Sequence, residues 1–113
     1  MSRLQNQGKS NQMAFGQFGN AFADTAAASI TPPTGQVIVC IQMLSNTAFD
    51  VLTPENEEKC FGITSSTHGA GSGGVTVATN NIFGAGLTIY GRWKAVSLNA
   101  AQATGGIICY FGE

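Results

Sequence analysis

The sequence predicts an all-β protein: a compact antiparallel β-sandwich or jelly-roll-like barrel carrying an extended N-terminal arm. Three observations predict it. From Gln36 onward, short runs rich in Val, Ile and aromatic residues alternate with Gly-, Asn- and Ser-rich punctuation, the pattern of strands and turns. No stretch sets its apolar residues at the spacing of a convincing amphipathic helix. Residues 1–29 follow neither pattern, being rich in Gln, Asn, Gly and Ala, with only Arg3, Lys9 and Asp24 charged.

The arm comes first. In "NQMAFGQFGNAF", Asn11 to Phe22, three phenylalanines stand in a polar, Gly-rich background. Gly16 and Gly19 would each cost a helix about 1 kcal/mol relative to Ala, and no Val/Ile/Thr run supports a strand instead. The Ala-rich "NAFADTAAAS" suffices for one or two helical turns, which are marginal in water. Burying a Phe contributes about 1.5–3 kcal/mol, whereas ordering each residue costs about 1–2 kcal/mol of backbone entropy. Phe15, Phe18 and Phe22 therefore read as anchors of a partner-docking arm that orders against a neighbouring surface. "ITPPTG", Ile30 to Gly35, ends it with two prolines and a glycine. The expected division is residues 1–35 as arm and Pro/Gly linker, and 36–113 as β domain.

Each strand is read in turn. "QVIVCIQML" is nearly all apolar, with Val37, Val39, Ile41 and Met43 on one face and Ile38, Cys40 and Leu44 on the other, so both faces should be covered. "TAFDVL" is a second strand, stopped by "TPENEEK", a turn holding four of the eleven charges. "KCFGITSST" reads as a third, "HGAGSGG" as a loop, and "VTVAT" as a short alternating strand. "GLTIYGRWKAVSL" alternates, with Gly91 marking a bulge or a close backbone approach. "NAAQATGG" then loops to "GGIICYFG", rich in β-branched and aromatic residues.

Composition limits the function classes. Five Lys and Arg against six Asp and Glu leave no electrostatic footprint for nucleic acid. Only 10% of the residues are charged, against about 25% in an ordinary soluble domain, which points to a surface covered by something else. Cys40, Cys60 and Cys109 are odd in number and widely spaced, and read as buried free thiols rather than a disulfide framework or zinc site. "MSRLQNQGKSNQ" lacks a signal-peptide apolar core, and no apolar run is of bilayer-spanning length. The expectation is a protein made in the cytoplasm, with no membrane or nucleic-acid partner and no cofactor or metal.

Chemistry is scarce. His68, the only histidine, sits by a Gly-rich loop with no carboxylate or thiol near it in sequence; Ser65 and Ser66 lie too close in sequence to make a triad with it. "HGAGSGG" lacks the following helix that a phosphate loop needs, and "PENEEK" lacks the alternating ligands and glycine of a calcium loop. No enzyme is expected. The most suggestive group is "YGRWK": alternation sets Trp93 on one side of its strand and Arg92 and Lys94 on the other. One reading makes Tyr90, Arg92, Trp93 and Lys94 a docking face with Trp93 as anchor. The other makes Trp93 a core residue with two exposed basic neighbours.

The ending "LTIYGRWKAVSLNAAQATGGIICYFGE", with the upstream "TGQVIVCIQML", resembles the small structural proteins of tailed bacteriophages, most of all capsid decoration (cement) proteins. The likeness lies in general build, over roughly Gly35 to Glu113 with the arm before it: a polar, Ala/Gly-rich arm, a compact β domain, low charge and a closing strand pair. It implies a homo-oligomer, commonly a trimer, on the outer capsid surface of the virion, binding and stabilising the major capsid protein shell. Tail, neck and fibre components share this build. A carbohydrate-binding receptor module, with Tyr90 or Trp93 stacking on a sugar ring, is the competing class.

Overall fold

A computed structural model describes residues 18–24, 29–63, 69–99 and 105–113 of the chain. The all-β antiparallel expectation holds. Five strands, β1 (Asn20–Ala23), β2 (Val37–Met43), β3 (Phe49–Pro54), β4 (Thr88–Leu98) and β5 (Ile107–Gly112), form one antiparallel sheet in the order β1-β5-β2-β4-β3. Loops form the layer opposite the sheet: Ile30, Phe61, Ile63 and Phe83 pack against a core of Ile38, Ile41, Met43, Phe49, Leu52, Trp93, Val96, Leu98, Ile107, Cys109 and Phe111. The isolated bridge Ile30↔Val96 ties one of those loop segments to β4, and Thr47↔Phe83 ties another to the connection between β2 and β3. Phe83 meets Phe49 edge-on, with ring centroids 5.3 Å apart.

Strand β4 is shared. Its first half pairs with β2, from Gln42↔Thr88 to Ile38↔Trp93, and its second half with β3, from Pro54↔Trp93 to Phe49↔Leu98. A straight strand from Thr88 to Leu98 would be about 33 Å long. The chain from Gln42 to Phe49 can span at most about 25 Å, so β4 must bend around the core.

Bulges supply the bend. Gly91 and Arg92 together oppose Val39, and Lys94 is the extra residue between Trp93 and Ala95 where β4 passes β3. The second bulge also reverses the alternation, so Trp93 and then Val96 and Leu98 all face the core. Val39 likewise has no partner on β5. This changes the faces read from the sequence for β2: Ile38, Ile41 and Met43 share the core side, and Cys40 and Gln42 turn to the other.

Two sequence readings are corrected. "VTVAT" forms no strand: Val75 is 76% exposed, and the segment is held by Val77 N–H donating to the Gly62 carbonyl at 3.1 Å. In "KCFGITSST", residues 59–63 are turn and coil and residues 64–68 lie outside the described residues. An alternating pattern without a ladder partner does not suffice for a strand.

The arm also differs from its expectation. Asn20–Ala23 is an edge strand on β5, with Ala21, Ala23 and Phe18 packed on the core. No β-branched run was needed, because β5 supplies the hydrogen-bonding template and Gly19, at φ +103°, turns the chain into it. Removing residues 1–29 should therefore lower the urea midpoint, since it strips β1 from β5 and uncovers Cys109 and Phe111. Removing residues 1–17, which keeps β1 in place, should lower it less. Equal midpoints for the two truncations would overturn the contribution given to β1.

Candidate functional site

The sheet has two unlike faces. On the side away from the core, register and alternation assemble two rows across four strands: Phe22–Ile108–Gln42–Thr88, and Asn20–Tyr110–Cys40–Tyr90. None of these eight residues is charged at neutral pH. Among the described residues no second sheet lies over them. Phe22 and Tyr90, at opposite corners, are 59% and 62% exposed, while Gln42, Thr88, Ile108 and Tyr110 are half-buried by one another. Cys40 lies between the two tyrosines and is buried, and that burial pushes its thiol pKa up.

Beside the Tyr90 corner the chain forms a cleft of about 570 Å³ between β4 and the turn after β3. Tyr90, Gly91 and Arg92 line one side, and Glu55, Lys59, Cys60 and Phe61 the other. Here the acidic turn and the "YGRWK" run, far apart in sequence, meet. Arg92 Nε donates to Glu55 Oε1 at 2.7 Å, Glu55 N–H donates to the Arg92 carbonyl at 2.8 Å, and Arg92 Nη1 donates to the Glu113 carbonyl at 2.8 Å. The hydrogen bond from Arg92 holds the Glu55 carboxyl below its ordinary range, and the same bond raises the guanidinium. Arg92 is thus engaged in clasping the turn and the end of β5 to β4. Both side chains are about half exposed, so solvent screens the pair and its role is positional.

Trp93 is corrected as an interface anchor. It is fully buried, its Nε1–H donates to the Phe61 carbonyl at 2.9 Å, and its ring meets Phe61 edge-on at 5.5 Å. The alternative reading of a core tryptophan with two exposed basic neighbours describes it: Arg92 and Lys94 both reach solvent. Gly91 is explained by the same packing, because a Cβ there would lie 2.6 Å from the indole ring and 2.8 Å from Cys60 Sγ.

The three phenylalanines part company. Phe15 lies outside the described residues, Phe18 packs against this protein's own core, and Phe22 alone of the described pair presents an exposed ring. Ile108 and Tyr110 were missed as surface residues in the sequence. Their run "GGIICYFG" is apolar throughout, and only knowing which face carries the loops separates inward Ile107, Cys109 and Phe111 from outward Ile108 and Tyr110.

Among the described residues no group of three or more His, Cys, Asp or Glu side chains is placed to hold a metal, and the three cysteines are free. His68 lies outside the described residues. No helix among the described residues is long and apolar enough to cross a membrane. No family model matches the chain, and the comparisons with curated proteins and with solved structures found no match.

Proposed function

We propose that the protein is a non-enzymatic assembly component that presents the outer face of its sheet to a neighbouring protein. The observation that carries this is the uncharged face with Phe22 and Tyr90 at its corners and Ile108 and Tyr110 between them. An antiparallel sheet with one solvated face ordinarily alternates apolar-in with polar-out. Here the outward positions include three aromatic rings and an isoleucine, a composition typical of interface cores.

Within that class, the resemblance of the sequence to phage decoration proteins favours a small virion protein bound to the major capsid protein shell. The chain should sediment with purified tailed-phage particles. Phe22→Ser with Tyr90→Ser, at the two exposed corners, should reduce that occupancy at least tenfold while the thermal melt stays nearly in place. Recovery only as free protein in every fraction would overturn the virion reading.

The cleft supports a second reading, a carbohydrate-binding module. Tyr90 offers a ring for stacking, and Glu55 and Lys59 stand at the rim. Trp93 takes no part, being buried. Selective binding on a glycan array, abolished by Tyr90→Ala, would favour this reading over the first.

A further inference from the structure

An open sheet has two edges, and those of this sheet are built differently. On the β3 edge stand Asp50 and Pro54, and the Leu52 carbonyl is already taken by the Ile63 N–H at 2.7 Å. Charge, proline and a covering loop are the usual guards against edge pairing. The β1 edge, Asn20-Ala21-Phe22-Ala23, has no charge and no proline.

The backbone directions on β1 follow from its pairing. Phe111 N–H donates to the Gly19 carbonyl at 3.0 Å, and the register runs on from Asn20↔Tyr110 to Ala23↔Ile107. Alternate residues of an antiparallel strand address a given neighbour. Ala21 and Ala23 therefore address β5, and the N–H and C=O groups of Asn20 and Phe22 point away from the sheet. Among the described residues no backbone hydrogen bond reaches them from outside.

We infer that β1 pairs with β1 of a second copy of this chain, antiparallel about a two-fold axis through Ala21, joining two sheets into one. In this register Asn20 of one copy faces Phe22 of the other, and each pair exchanges both N–H···O bonds. A slip of one residue would set outward groups against inward ones.

Charge fixes the direction. Asp24 is the only charged residue between Phe18 and Gly35. Antiparallel pairing sends the two Asp24 side chains to opposite ends of the contact, whereas parallel pairing would set them side by side. The guarded β3 edge stops a β1-to-β3 contact from propagating, so the assembly closes at two copies. The two Phe22 rings then lie diagonally across the axis on the same open face, within reach of each other, which accounts for their exposure in one copy.

This inference rests on the reading of the chain as an assembly component and names its first partner. Light scattering coupled to size exclusion should find the full chain dimeric at micromolar concentration. Asn20→Pro removes an outward N–H and no bond to β5, so it should yield a monomer with an unchanged β signature by circular dichroism. Asn20→Ala should stay dimeric. Independently, Ala21→Cys in a Cys60→Ser background should form a disulfide-linked dimer on mild oxidation, because opposed residues in a non-hydrogen-bonded pair lie about 4.5 Å apart at Cα, within disulfide range. A monomeric or trimeric wild type, or an Asn20→Pro variant as dimeric as wild type, would overturn the pairing. A dimer absent from phage particles would overturn the virion reading and leave the pairing standing; a particle-bound chain that is monomeric in solution would do the reverse.

Discussion

Replacing Trp93 with alanine should remove about 3–5 kcal/mol of stability, a large share of the roughly 5–15 kcal/mol that holds an ordinary domain folded. The size of the effect follows from position. Trp93 is where β4 passes from β2 to β3, opposite Ile38 on one side and Pro54 on the other, and both bulges of β4 adjoin it. Its ring fills the space over Gly91, meets Phe61 edge-on, and its Nε1–H satisfies the Phe61 carbonyl. Truncation would leave a cavity and free the loop that covers the core. Trp93→Phe keeps most of the volume but loses the hydrogen bond, and should cost about 1–3 kcal/mol. Tyr90→Ala, three residues earlier on the open face, should leave the urea midpoint almost in place. Equal losses for Trp93→Ala and Tyr90→Ala in urea denaturation followed by far-UV circular dichroism would refute the core role argued for the indole.

That contrast marks what the sequence could and could not reveal. "VIVCIQM", "TIYGRWKAVSL" and "IICYFG" are dense in β-branched and aromatic residues and become β2, β4 and β5. Gly91 was legible because an interior strand glycine signals a bulge or a close approach, and it makes both. The inward and outward faces were less so. A bulge shifts alternation by one residue, and nothing in "WKAV" announces that Lys94 is the extra one. Strand β1 escaped for a different reason: "NAFA" has little strand propensity, and its conformation comes from β5, at the far end of the chain.

The candidate site was legible in pieces and hidden in its assembly. Tyr90 and Arg92 stand out locally, but the partner of Arg92 is Glu55, brought in by the pairing of β3 with β4 that sets Pro54 opposite Trp93. The outer face draws on β1, β5, β2 and β4, so no local window of sequence contains it. The low overall charge was the one global sign of such a face, and it could not say where on the molecule the face lies.

Alkaline pH should destabilise the protein steeply, with Cys109 the main cause. The thiol sits in the core, and burial, with a smaller contribution from nearby Cys40, pushes its pKa from 9.0 up to about 12. The unfolded chain releases this proton at ordinary pH values for a thiol while the folded chain holds it, so the folded state binds more protons between about pH 9 and 12. Stability then falls as pH rises through that window, by up to about 1.4 kcal/mol per pH step from this group. Cys40, also raised by burial, acts in the same direction. Cys60, partly exposed in the cleft, is the thiol expected to react first with an alkylating agent in the native protein. Urea midpoints in the presence of reductant should drop from about pH 8 to about pH 10.5 in wild type. Cys109→Ala should be less stable at the lower pH, through the lost packing, but should show a shallower alkaline decline. Parallel declines in the two proteins would mean that the Cys109 thiol ionises alike in the folded and unfolded chains, and that its place in the core does not set the alkaline limit.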